Sequence, residues 1–247
     1  MTSMIRNYIL AIIACISTLC SCDDGLKYDK QYVAPASSGY TAVVTGTFKG
    51  QTSWPSRYSI VVAGFNDNSE YAIIQKTLAA KNNDNKEIRM VLSNISDTTR
   101  TLEIAVVNSL RKRIATLYSY EIPVNQDAKD TIRMNVGELN IGMFETINKE
   151  VFQGMNCSRC HASATAAAHL DLTKDNAYKS LLSIQSTKNP EYRRVKPYDT
   201  DSSYMYKVIT TGTPEVGYNH PALFVDSKHS AFLSIIKNWI ENGAKEN

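Results

Sequence analysis

Thr131-Ile132-Arg133-Met134-Asn135-Val136-Gly137-Glu138-Leu139-Asn140-Ile141-Gly142-Met143-Phe144-Glu145-Thr146-Ile147 is where the chain changes its period. Ile132, Met134 and Val136 alternate with Thr131, Arg133 and Asn135, the pattern of a half-buried strand. From Asn140 the apolar spacing lengthens, and Ile141, Phe144, Ile147, Val151 and Met155 fall on one helical face. The change separates a β half from a helical half.

Upstream, the period of two persists back to Tyr40. Ile88, Met90 and Leu92 alternate with Arg89 and Ser93, and Leu102, Ile104 and Val106 with Glu103 and Ala105. Strands are expected near 41–48, 58–65, 70–75, 87–93, 101–107, 113–120 and 130–137, parted by turn-formers such as Asn66-Asp67-Asn68. Short, regularly spaced strands with no helical pattern between them imply an all-β antiparallel sandwich over residues 40–138. It resembles the Ig-like (immunoglobulin-like) or transthyretin-like modules of secreted bacterial proteins, an architecture that implies no function by itself. This half holds neither His nor Cys, and its one Trp, Trp54, stands beside Pro55 as a packing plug. Arg111-Lys112-Arg113 reads as a solvated hairpin end.

Downstream, residues 139–247 read as helical. Phe232, Ile235, Ile236, Trp239 and Ile240 make the strongest stripe, which stops at Gly243. Helices are also expected over 175–186 and 202–209, with Thr173 and Asp201 as N-caps. All four histidines lie in this half.

So does Cys157-Ser158-Arg159-Cys160-His161, a C-x-x-C-H sequence of the kind that attaches c-type haem. Two thiols one turn apart can each bond a vinyl-derived carbon of the porphyrin, and the next residue sets an imidazole under the iron. Cys157 and Cys160 are thus expected as covalent haem attachments and His161 as the proximal iron ligand. Three other uses of the pair stand beside this. A thioredoxin-type dithiol would open a helix after a strand, whereas this pair closes a helical stripe. A structural zinc would need two more ligands close by, and the next histidine is His169. A plain disulfide is the third.

The remaining three of the five cysteines lie in the first 22 residues. Arg6 precedes an apolar run of about twelve residues, too short for a spanning helix of about 20, so residues 1–21 read as a secretory signal peptide. Leu19-Cys20-Ser21-Cys22 resembles a bacterial lipoprotein signal, which implies lipidation of Cys22 and a membrane attachment through that lipid. Residues 22–39 then form a lipidated N-terminus and tether. The acidic pair Asp23-Asp24 resembles either the surface-export signal of Bacteroidota lipoproteins or an inner-membrane retention signal. Elsewhere, 43% hydrophobic and 21% charged residues exclude a disordered chain, and a net charge of +3 spread along the sequence argues against nucleic acid as a partner.

Residues 141–247 resemble a small class I cytochrome c, closest to the planctomycete-type cytochrome C family. Cys157 to His161, Leu170-Asp171-Leu172, Ala177-Tyr178, Leu181-Leu182, Val195-Lys196-Pro197 with Asp199, Asp201 to Tyr206, and Trp239 to Ala244 carry the likeness. The expected fold class is therefore two-domain, the sandwich being followed by an all-α cytochrome c-like haem domain. In that family the sixth ligand is usually a Met before Pro. Here Gly217-Tyr218-Asn219-His220-Pro221 stands at the place, so His220 is expected as the distal iron ligand. Met205 stands where the family has a buried aliphatic residue and is the lesser choice. His169 and His229 read as surface residues, and an open sixth position remains an alternative. Arg193, Arg194 and Lys196 read either as partners of haem propionates or as a solvated loop.

Together these residues imply a lipid-anchored monohaem carrier passing single electrons to a redox protein partner at the cell envelope rather than an enzyme, with peroxidase-like activity left open by an empty sixth position. It would sit on the outer membrane, facing the periplasm or the surface. The alternative is a haem-containing binding or sensing subunit of a surface assembly, its β-sandwich holding protein or carbohydrate.

Overall fold

The computed structural model describes residues 39–78, 85–125, 127, 130–163 and 166–246. The secretory signal, Cys22 and all of the tether but Gly39 lie outside the described residues.

Seven strands form: β1 (Tyr40–Lys49), β2 (Tyr58–Phe65), β3 (Ile74–Thr77), β4 (Glu87–Ile95), β5 (Thr101–Asn108), β6 (Arg113–Glu121) and β7 (Thr131–Asn140). All but β3 coincide closely with an alternating run, and β3 starts later than the expected 70–75. They form a three-stranded sheet in the order β4-β1-β7 and a four-stranded sheet in the order β3-β2-β5-β6. Alternate side chains, among them Val44, Phe48, Val62, Met90, Ile104, Leu117 and Met134, close one buried cluster. The central strands β2 and β5 are apolar on both faces, and Val61, Ala63, Phe65, Ala105 and Val107 make a second cluster.

The sandwich is not wholly antiparallel. β1 runs antiparallel to β4 but parallel to β7. Alternation is the same for either sense of pairing and does not distinguish them.

The larger correction concerns the second half. No long all-α cytochrome c-like domain is formed among the described residues. Four helices follow the sheets: α1 (Met143–Ile147), α2 (Ala177–Leu181), α3 (Tyr204–Thr210) and α4 (Ser227–Glu241). Only α4, with 15 residues, is longer than two turns. The helix expected over 175–186 is a single turn of five residues. Left-handed backbone at Asn156, Ala168, His169, Ser183 and Tyr198 breaks the chain between helices. Pro190, Pro197, Pro214 and Pro221 deny it donors there. Nor do Thr173 and Asp201 cap helices through their side chains. The cap that forms is Asp226, whose carboxylate accepts from the Lys228 and His229 amides at the start of α4.

At its other end α4 closes in a Schellman motif. Gly243 takes φ +93°, its amide donates to Ile240 O at 3.0 Å, and the Ala244 amide donates to Trp239 O at 2.8 Å. A Cβ at Gly243 would also lie 2.6 Å from the Tyr198 ring.

The helical cluster gathers around Phe144, whose ring meets Trp239 and Tyr178 at 5.1 Å each and Phe152 at 6.4 Å. Such aromatic pairs contribute about 0.5–1.5 kcal/mol each beyond area burial. This cluster is joined to the sandwich. Trp54, Tyr58 and Ile114 pack against both clusters, and Trp54 Nε1 donates to Ile141 O at 2.6 Å. Residues Ser37–Asn247 form one compact unit.

Candidate functional site

Between α1 and the first residues of α2 the chain passes through a π-helical segment, Asn148–Gln153, a 3-10 turn over Cys157–Arg159, and an irregular loop. Val151 and Phe152 of the π segment are buried and face a cavity of about 750 Å³. Its far wall is supplied by α3 and by the 3-10 turn His220–Phe224, through Met205, Val208, Ile209, Leu223 and Phe224. A predominantly apolar cavity of this size is of the class that takes cofactors and small ligands.

Cys157, Cys160, His161 and His220 all line this one cavity. Both cysteines are free thiols. Cys157 Sγ rests 3.4 Å from Val151 O, and burial pushes its pKa up to about 11. A thiol held protonated in this way is opposite to the depressed pKa of a dithiol catalyst. The turn is tied by the Cys160 and His161 amides, which both donate to Cys157 O.

The two imidazoles are arranged alike. His161 Nδ1 lies 2.9 Å from Ala167 O, and His220 Nδ1 lies 3.1 Å from Tyr218 O. A carbonyl can only accept, so Nδ1 is the donor in each of these bonds, which in the neutral ring leaves Nε2 as the lone-pair nitrogen, and a further backbone bond to Leu170 bears on the His161 ring. Burial lowers both histidine pKa values, which favours the neutral, ligating form. The ring centroids are 6.4 Å apart with planes inclined at 34°. A metal–nitrogen bond of about 2.0 Å and a ring radius of about 1.2 Å put two imidazoles on opposite sides of one ion about 6.4 Å apart.

Among the described residues no group of three or more His, Cys, Asp or Glu side chains is gathered as a protein-only metal site requires. Two imidazoles at this separation would instead suit an ion whose other ligands arrive with a planar cofactor, and the two thiols that line the same cavity would suit its covalent attachment. The residues present therefore fit a c-type haem.

The other residues singled out in the sequence are sorted by the fold. Met205 lines the cavity with His220, and Met155 lines it near Cys157. His229 is engaged with Asp226 at 2.5 Å at the start of α4, away from the cavity. His169 lies on the loop behind the lining. Of the basic trio, Lys196 pairs with Asp199 at 2.8 Å and Arg193 donates to Ser183 O, while Arg194 turns inward and lines the cavity. Arg111-Lys112-Arg113 is not simply solvated: Arg113 pairs with the buried Glu103 at 2.6 Å and Lys112 with Glu70 at 3.0 Å.

Sequence reasoning missed Thr187, whose hydroxyl donates to Ala168 O at 2.9 Å, and the apolar walls given by Phe152, Leu223 and Phe224. Only the tertiary fold brings these to the motif. Arg159, Lys188 and Arg194 also line the cavity, and none of the described lining residues is acidic. Among the described residues no helix is long and apolar enough to cross a membrane. No protein-family model, no curated protein and no solved structure matches this chain.

Proposed function

We propose that this protein is a monohaem c-type electron carrier of the cell envelope, held to the outer membrane by a lipid on Cys22. The observation that carries the reading is the pair of imidazoles, His161 and His220, 6.4 Å apart across one apolar cavity that also holds the thiols of the C-x-x-C-H motif.

In this reading Cys157 and Cys160 bond the cofactor, His161 is the proximal ligand and His220 the distal one. When bound, haem supplies one-electron redox chemistry. The chain does the rest. Ala167 O and Tyr218 O hold the two rings through Nδ1, and Val151, Phe152, Ile209, Leu223 and Phe224 give the cavity an apolar lining. Arg159 and Lys188 give its lining a positive charge suited to the carboxylates of a porphyrin. Without a thioether ligand to raise it, the reduction potential is low. The electron passes to a redox protein partner, and the role is that of a carrier and not an enzyme.

The test is export of the full chain through a periplasm with haem-maturation machinery. A Soret band that stays with the denatured polypeptide is expected. A colourless folded protein from such cells contradicts the reading.

A further inference from the structure

The carbonyl that orients His161 belongs to a loop in an unfavourable conformation. Directly after Ala167, Ala168 takes φ +59° and His169 φ +52°. A left-handed non-glycine residue is strained and persists only where its surroundings hold it. The turn over Ala167–His169 is a single 3-10 turn, fastened to the motif on one side by the Ala167 amide, which donates to Cys160 O at 3.0 Å.

Arg194 holds it from outside. Its Nη2 donates to Ala168 O and His169 O, both at 2.9 Å, and its Nη1 donates to Ser180 O at 2.8 Å and Ser180 Oγ at 3.2 Å. One guanidinium thus ties the loop to α2. Its own backbone is fastened to the opposite wall, since the Met205 amide donates to Arg194 O at 3.0 Å. Thr187 Oγ1 adds a donor to Ala168 O at 2.9 Å. Arg194 is only 9% exposed, and no ion pair joins it to a carboxylate among the described residues. Burying a charge to bond neutral carbonyls is costly unless the planar fork is what the site requires.

We propose that Arg194, seconded by Thr187, is the positioning residue for His161: it fixes the 167–169 loop so that Ala167 O holds the ring with Nδ1 protonated and Nε2 aimed into the cavity. The loop geometry stands by itself, while its use for iron rests on the haem reading.

The experiment compares the full chain with R194K, which keeps the charge but loses the fork, and with T187V, which leaves charge untouched. Both are measured without haem, by the 15N shifts of the His161 ring, and with haem, by the low-spin g-values. Without haem, the ratio of Nδ1-protonated to Nε2-protonated ring is expected to fall about fivefold or more in R194K and by less in T187V. With haem, the g-values move in the same order although net charge is unchanged. Wild-type tautomer ratios in a folded R194K and in T187V overturn the proposal, and if R194K does not fold, T187V alone decides. A shifted tautomer in a chain that binds no haem leaves the clamp standing and removes the haem reading.

Discussion

His161 and His220, 59 residues apart in sequence, face each other across one cavity with ring centroids 6.4 Å apart, each ring held through Nδ1 by a backbone carbonyl. An ion held between them would use the ring nitrogen that each carbonyl leaves free, and each carbonyl would strengthen its imidazole as a ligand by accepting from the other nitrogen.

The distal position is the first consequence. In H220A the ferric spectrum is expected to change from six-coordinate low-spin to high-spin, and the ferrous form to take up carbon monoxide. H220M should raise the potential, because Met in place of His favours the ferrous state. A thioether–iron band in the red region that survives in H220A and vanishes in M205L assigns the position to Met205. A five-coordinate ferrous wild type favours the sensing reading over the carrier.

The joint between sandwich and helical cluster is the second. Trp54 packs on both clusters and donates to Ile141 O at 2.6 Å. W54F keeps most of the packing and should cost about 1 kcal/mol, whereas W54A should cost about 3 kcal/mol. Urea unfolding midpoints at constant slope check both values.

Acid stability is the third. The Lys196 ammonium, with the amide and side chain of Ser202, holds the Asp199 carboxyl well below the usual carboxylate range. A carboxyl depressed in the folded state contributes stability above its unfolded pKa of about 3.9, and that contribution is lost as pH falls through the folded value. Bonds from the backbone and ring of His229 lower Asp226 in the same sense. Stability should therefore fall as pH drops below about 4, and D199N should flatten part of that fall. Denaturation midpoints at neutral and strongly acid pH measure the difference.

The buried pair Arg113 and Glu103, 2.6 Å apart, is the fourth. The Glu103 carboxylate also accepts from Thr116 and Thr101. R113M leaves a buried carboxylate without its cation and should cost about 3 kcal/mol. R113M/E103Q should recover part of that in a double-mutant cycle.

The strands were legible because one face of each meets the core, as Ile132 and Met134 do, and a period of two survives any topology. The parallel pairing of β1 with β7 was not, since register and sense are decided between strands and not within one. The helical stripe of α4 was readable over its whole length, because Phe232, Ile235, Ile236, Trp239 and Ile240 all meet the core. The helix expected over 202–209 forms over Tyr204–Thr210, whereas the one expected over 175–186 was overextended: its apolar residues at helical spacing continue past Leu181, and Ser183 turns left-handed at φ +57° just beyond the helix end. The all-α expectation came from a likeness of scattered motifs, which says little about the loops between them. The cysteines and His161 were legible as a local spacing. That His220 and Met205 line the same cavity, and that Arg194 holds the loop behind His161, depends on contacts between distant segments that no local pattern encodes.

The most direct measurement is the mass of the peptide holding residues 157–161 after periplasmic maturation and proteolysis. One haem added through two thioether bonds at Cys157 and Cys160 is expected, lost entirely in C157A/C160A. An unmodified peptide, or one carrying only a Cys157–Cys160 disulfide, from cells that mature other c-type haems would contradict the haem assignment.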